Sequence, residues 1–144
     1  MVNNDTIELL KQCNVGIKMG VETIDNVMDK VNSSELSSLL SDSKNEHQRL
    51  GSETHSELNN YDKSGTEPSP IAKAMTWMKS NIMITADDDD KTIASFVTDG
   101  CNVGIKTLNK YLNQYKEADE RSKDIAKKLI KMEDTLVMNL REYL

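Results

Sequence analysis

Very few side chains in this sequence have the types and spacing that chemistry requires. There are two histidines, His47 and His55, and two cysteines, Cys13 and Cys101. His47 follows Glu46, and Glu22 lies one helical segment earlier, so an imidazole with one or two carboxylates could hold iron or manganese. The competing reading of His47 is a buried ring that hydrogen-bonds across a helical hairpin. His55, between Glu53 and Glu57, reads as part of a solvated face. Cys13 and Cys101 could form a redox pair, or they are small apolar side chains that let helices pack closely. The run Asp87-Asp88-Asp89-Asp90 is the densest set of oxygen ligands, but it lacks the glycine and the distal glutamate of a calcium loop. Its carboxylates suit the positive end of the helix that follows. There is no Cys-x-x-Cys, no phosphate-cradling glycine loop, and no Ser or Cys set with His and Asp in a nucleophile motif. No catalytic residue is expected.

The elements that must position these residues follow from composition and period. At 144 residues with 37% hydrophobic content, the chain suits one domain with its own core. Aromatics make up only 4%, while Leu, Ile, Met, Lys, Glu and Asp are plentiful, which favours helices over twisted sheet. A formal charge of −6 repels a polyphosphate backbone, so no nucleic-acid partner is expected. No apolar run approaches the ~20 residues of a membrane span, and no basic then apolar leader opens the sequence. The expected setting is the cytoplasm, with reduced thiols.

A spacing of three and four residues links Ile7, Leu10, Asn14, Ile17, Val21, Ile24, Met28 and Val31, with Asn3 or Asn4 as the cap. After the break at Asn32-Ser33-Ser34, a second stripe reads Leu36, Leu40, Ser43, His47, Leu50, Thr54 and Leu58. So short a loop predicts an antiparallel hairpin. Turn formers fill Asn59 to Ser69, and Pro70 opens a brief amphipathic helix bearing Ile71, Met75, Trp77, Met78 and Ile82. Met75, Trp77 and Met78, with Met83 nearby, offer an adaptable surface for a homo-oligomer or a protein partner. A third stripe comprises Ile93, Val97, Cys101, Ile105, Leu108, Leu112 and Tyr115. A fourth comprises Ile125, Leu129, Met132, Leu136, Leu140 and Tyr143, with the turn at Lys116 to Ala118.

The sequence Cys-Asn-Val-Gly-Ile-Lys occurs twice, at Cys13–Lys18 and Cys101–Lys106. Aligning the copies sets the first helix on the third, so hairpin 4–59 repeats as hairpin 91–144, joined by a crossover at 60–90. A connection that long can run the length of a bundle and make the second and third helices parallel. Gly16 and Gly104 each cost ~1 kcal/mol inside a helix, which suggests close approach of a neighbour. Asn14 and Asn102 fall on the inward stripes and are expected to fix the pairing of the halves. The six positions read as a packing signature: Cys13, Asn14, Gly16, Cys101, Asn102 and Gly104.

Ile7-Glu8-Leu9-Leu10, Cys13 and Gly16, Trp77 with Lys79, and Asp99-Gly100-Cys101 with Gly104 together resemble an uncharacterised bacterial family of ferritin-like four-helix-bundle proteins, a domain of unknown function. The resemblance spans nearly the whole chain and implies an all-α, ferritin-like bundle, with a di-iron centre in active members. Such a centre takes a Glu from each of two helices and Glu-x-x-His from each of the others. Here Lys44 stands three before His47, Leu136 stands three after Glu133, and no histidine follows His55. The expectation is a non-enzymatic binding or assembly protein without the di-iron ligands or any cofactor. The alternative is a metal-binding or oxidative-stress protein with an unconventional site near Glu22, Glu46 and His47.

Overall fold

The computed structural model describes residues 4–61 and 89–144, and these form four long helices without strands. They are α1 (Asn4–Met28), α2 (Ser34–Asn59), α3 (Asp90–Gln114) and α4 (Glu120–Leu140), followed by a 3-10 turn at Arg141–Tyr143. The residues between α2 and α3, including the expected amphipathic helix with Met75, Trp77 and Met78, lie outside the described residues.

The starts of α2, α3 and α4 are each set by a short polar side chain that accepts from a free amide. Ser33 Oγ accepts from Leu36 N at 3.2 Å, Asp89 from Thr92 N at 2.7 Å, and Asp119 from Ser122 N at 2.8 Å. The last residue of the acidic run, which follows the cap, reaches another turn. The Asp90 carboxylate accepts from Asn32 N at 2.8 Å and Ser33 N at 2.9 Å, tying the α1–α2 turn to the start of α3. At the other end, Asp5 accepts from Glu117 N at 3.0 Å and Thr6 Oγ1 from Asp119 N at 2.8 Å. Arg121 pairs with Glu53 and Glu57, holding the end of α2 against the start of α4.

These ties fix the directions. The α1–α2 turn and the start of α3 share one end, while the end of α2, the α3–α4 turn and the start of α1 share the other. α2 and α3 are therefore parallel. The end of α2 lies a helix length, about 39 Å for 26 residues, from the start of α3. Both α1 and α4 pack against all three other helices, whereas α2 and α3 scarcely touch. They occupy the two far corners of the bundle.

That arrangement explains the burial patterns. The seven-residue stripe of α2 is buried at every expected position, because a corner helix hides one face. α1 buries a much wider surface, adding Thr6, Leu9, Gln12, Cys13, Val15, Thr23 and Val27 to part of its stripe. The core falls into two apolar clusters. One contains Leu9, Leu10, Ile17, Leu50, Leu108 and Leu129; the other contains Ile24, Leu36, Leu40, Val97, Leu136 and Leu140.

Candidate functional site

Between the two clusters lies a polar layer to which every helix contributes one residue. Along α1, Gly20 lies between Ile17 of one cluster and Ile24 of the other. Along α2, His47 lies between Leu50 and Leu40; along α3, Gly104 between Leu108 and Cys101; along α4, Glu133 between Leu129 and Leu136. His47 is 1% exposed and Glu133 is 5% exposed. They face each other across the α2–α4 seam, His47 Nε2 lying 3.8 Å from Glu133 Oε1.

The glycines make room for the two side chains. A Cβ on Gly20 would stand 2.7 Å from His47 Cδ2 and 2.9 Å from Nε2. A Cβ on Gly104 would meet the Glu133 carboxylate, with Cδ at 3.0 Å and Oε1 at 3.1 Å. Real Cβ atoms do not approach so closely, so the ring fills the space that a side chain of α1 would take, and the carboxylate does the same on α3.

The hydrogen-bond geometry assigns the proton on one ring nitrogen. His47 Nδ1 lies 2.7 Å from the Ser43 carbonyl oxygen. A carbonyl only accepts, so Nδ1 carries hydrogen whatever the charge of the ring. Nε2 is then an acceptor when the ring is neutral and a donor when it is charged. At 3.8 Å it is too far from Oε1 for a direct hydrogen bond. Nε2 and Glu133 Oε2 are both buried without a hydrogen-bond partner. Beside them is a cavity of about 40 Å³, lined by Gly16, Gly20, Thr23, Cys101 and Gly104 among others.

Burial opposes the charged imidazole of His47, but the Glu133 carboxylate together with the Ser43 carbonyl outweighs it, and the ring's pKa is raised. Burial raises the Glu133 carboxyl as well, against the opposing pull of His47. Both directions favour retention of a proton by the pair. Removing it would leave an uncompensated carboxylate in a water-poor interior.

The other sequence candidates are placed differently. Glu46 is exposed on the outer face of α2 and Glu22 is half-buried on α1; neither lines the cavity that His47 faces. The Glu22, Glu46 and His47 set is therefore not assembled, and among the described residues no three His, Cys, Asp or Glu side chains converge. A helix turns by about 100° per residue, so the neighbour of an inward His47 points outward. His47 does not hydrogen-bond across the α1–α2 hairpin as expected: its bond is to Ser43 on its own helix, and the carboxylate it faces belongs to α4 of the second hairpin. His55 is exposed. Cys13 and Cys101 are reduced, buried, and members of different apolar clusters. Burial pushes the Cys13 thiol up to about 12 and raises Cys101 too, so both are poor nucleophiles. Asn102 is exposed and Asn14 half-buried, which corrects the expectation that both fall on inward stripes.

Glu133 is the residue that periodicity passed over. Positions 129 and 136 can be bridged through 132 or 133 with spacings of three and four, and apolar preference selects Met132. Met132 is half-buried, and Glu133 takes the buried place. Comparison with protein-family models, with curated proteins and with solved structures finds no match to this chain.

Proposed function

We propose that this chain is a non-enzymatic helical bundle of the ferritin-like type, acting in the cytoplasm through binding or self-assembly, and lacking the di-iron ligand set. The observation that carries this reading is the composition of the middle layer. A di-iron layer draws carboxylates from all four helices and an imidazole from two of them. Here α1 and α3 contribute Gly20 and Gly104, and the volume that their side chains would occupy is taken by His47 and Glu133. Lys44 and Leu136 stand where the spacing of a Glu-x-x-His motif would call for further ligands. The remaining pair joins two hairpins and suits a structural role, since a buried polar pair specifies which helices meet and in what register.

Elemental analysis of the purified protein, combined with its mass in solution, tests the proposal. The expected outcome is no stoichiometric iron or manganese and a mass that is a multiple of the single chain or that rises with a bound partner. Stoichiometric metal, or peroxide-dependent oxidation of added ferrous iron, would remove it.

A further inference from the structure

The middle layer contains two polar atoms that the protein leaves unmatched, Nε2 of His47 and Oε2 of Glu133, beside a cavity of about 40 Å³. Each belongs to a side chain more than nine-tenths buried. A buried polar atom without a partner is costly, because it gives up its hydrogen bonds to water and regains none. A volume of this size accommodates a water molecule, and Nε2 and Oε2 are the polar atoms that would hold one within a mainly apolar wall. The 3.8 Å gap between Nε2 and Oε1 is also too long for direct bonding and suits a pair assisted by a bridging molecule.

We infer that this cavity is a binding site for one water, bridging His47 Nε2 and Glu133 Oε2, and that the pair shares a single proton, making the layer a proton-linked lock between α2 and α4. The charge balance is simple. With the proton on Nε2 the pair is imidazolium and carboxylate; with the proton on the carboxyl group it is neutral imidazole and acid. Either form is neutral overall, and the water can donate to the acceptor or accept from the donor in each. Loss of the proton leaves one buried negative charge.

The surroundings supply no substitute for that proton in the neutral range. Along the cavity wall α1 offers Gly16, Met19, Gly20, Thr23 and Ile24, none of them ionisable. α3 offers the Cys101 thiol, whose pKa burial raises further. Glu46 on α2 and Asp134 on α4 are exposed and add negative charge outside the layer, which also favours keeping the proton.

The sign of the linkage follows from the raised imidazole. Its contribution to stability is fully present below the unfolded histidine pKa of about 6.5 and is lost as pH rises through the higher folded value.

The test is a pH titration of the isotope-labelled imidazole nitrogens by NMR, on the wild type and Glu133→Gln, with thermal midpoints followed over the same range. In the wild type, His47 should titrate above the ordinary histidine value of about 6.5, and the thermal midpoint should fall as pH rises beyond that range. In Glu133→Gln, His47 should titrate below that ordinary value, because burial then dominates, and the alkaline fall should disappear. A wild-type His47 midpoint at or below the ordinary histidine value of about 6.5 would overturn the shared proton, and that measurement needs no variant. An unchanged His47 midpoint in Glu133→Gln would overturn the role of Glu133. A high-resolution crystal structure should show density bridging Nε2 and Oε2; a dry cavity would overturn the water.

Discussion

The two copies of Cys-Asn-Val-Gly-Ile-Lys are identical in sequence and lie in unlike surroundings. In α1, Val15 and Ile17 are buried and Asn14 is half-buried; in α3, Val103 is 41% exposed, Ile105 is half-buried and Asn102 is exposed. Helix position makes the difference. α1 touches three helices and is covered on most sides, while α3 sits at a corner and keeps an outer face in water. The same six residues therefore serve as interior in one hairpin and as half-surface in the other.

The glycines sharpen the contrast. The absent Cβ of Gly16 faces Leu129 Cδ2 at 3.3 Å, the end of an apolar side chain that can yield by a few tenths of an ångström. The absent Cβ of Gly104 faces three atoms of the Glu133 carboxyl group, which is held opposite His47. One glycine eases packing, and the other leaves space for the polar layer.

The larger effect is expected at Gly104. Gly104→Ala should displace the Glu133 carboxylate, with an overpacking cost of about 1–3 kcal/mol that the ~1 kcal/mol gained in helix propensity offsets only in part. Denaturant unfolding would show a lower midpoint. The smaller effect is expected at Gly16, where Gly16→Ala should change stability by less than about 1 kcal/mol, because the propensity gain and the small shift of Leu129 nearly cancel. Equal losses at the two glycines would break the distinction between the copies.

The four long helices of the described residues, the limits of α2 and its complete buried stripe were legible in the sequence, because a corner helix shows one apolar face at a clear 3.6-residue period. The parallel course of α2 and α3 was legible from the length of the connection, and the hydrogen bonds of Asp90, Asp5 and Thr6 supply the physical ties. The wide burial of α1 was not legible, since contact with all three other helices depends on where the long and short diagonals of the bundle fall. Nor was Glu133, because a stripe drawn on hydrophobicity selects Met132 at an equally good spacing. Its partner His47 lay on the predicted stripe, but a sequence gives no distance between α2 and α4. The excess cost of Gly104 pointed to close approach by something. That the neighbour is a carboxylate depends on the register of the second hairpin.

Whether His47 and Glu133 act as one unit across the two hairpins is measured directly by a double-mutant cycle on unfolding free energy. His47→Gln and Glu133→Gln should each destabilise the bundle, and the double variant should lose less than the sum of the two. The expected coupling is about 1–3 kcal/mol near neutral pH. Additive losses, within about 0.5 kcal/mol, would mean that the two residues are buried side by side without forming a pair.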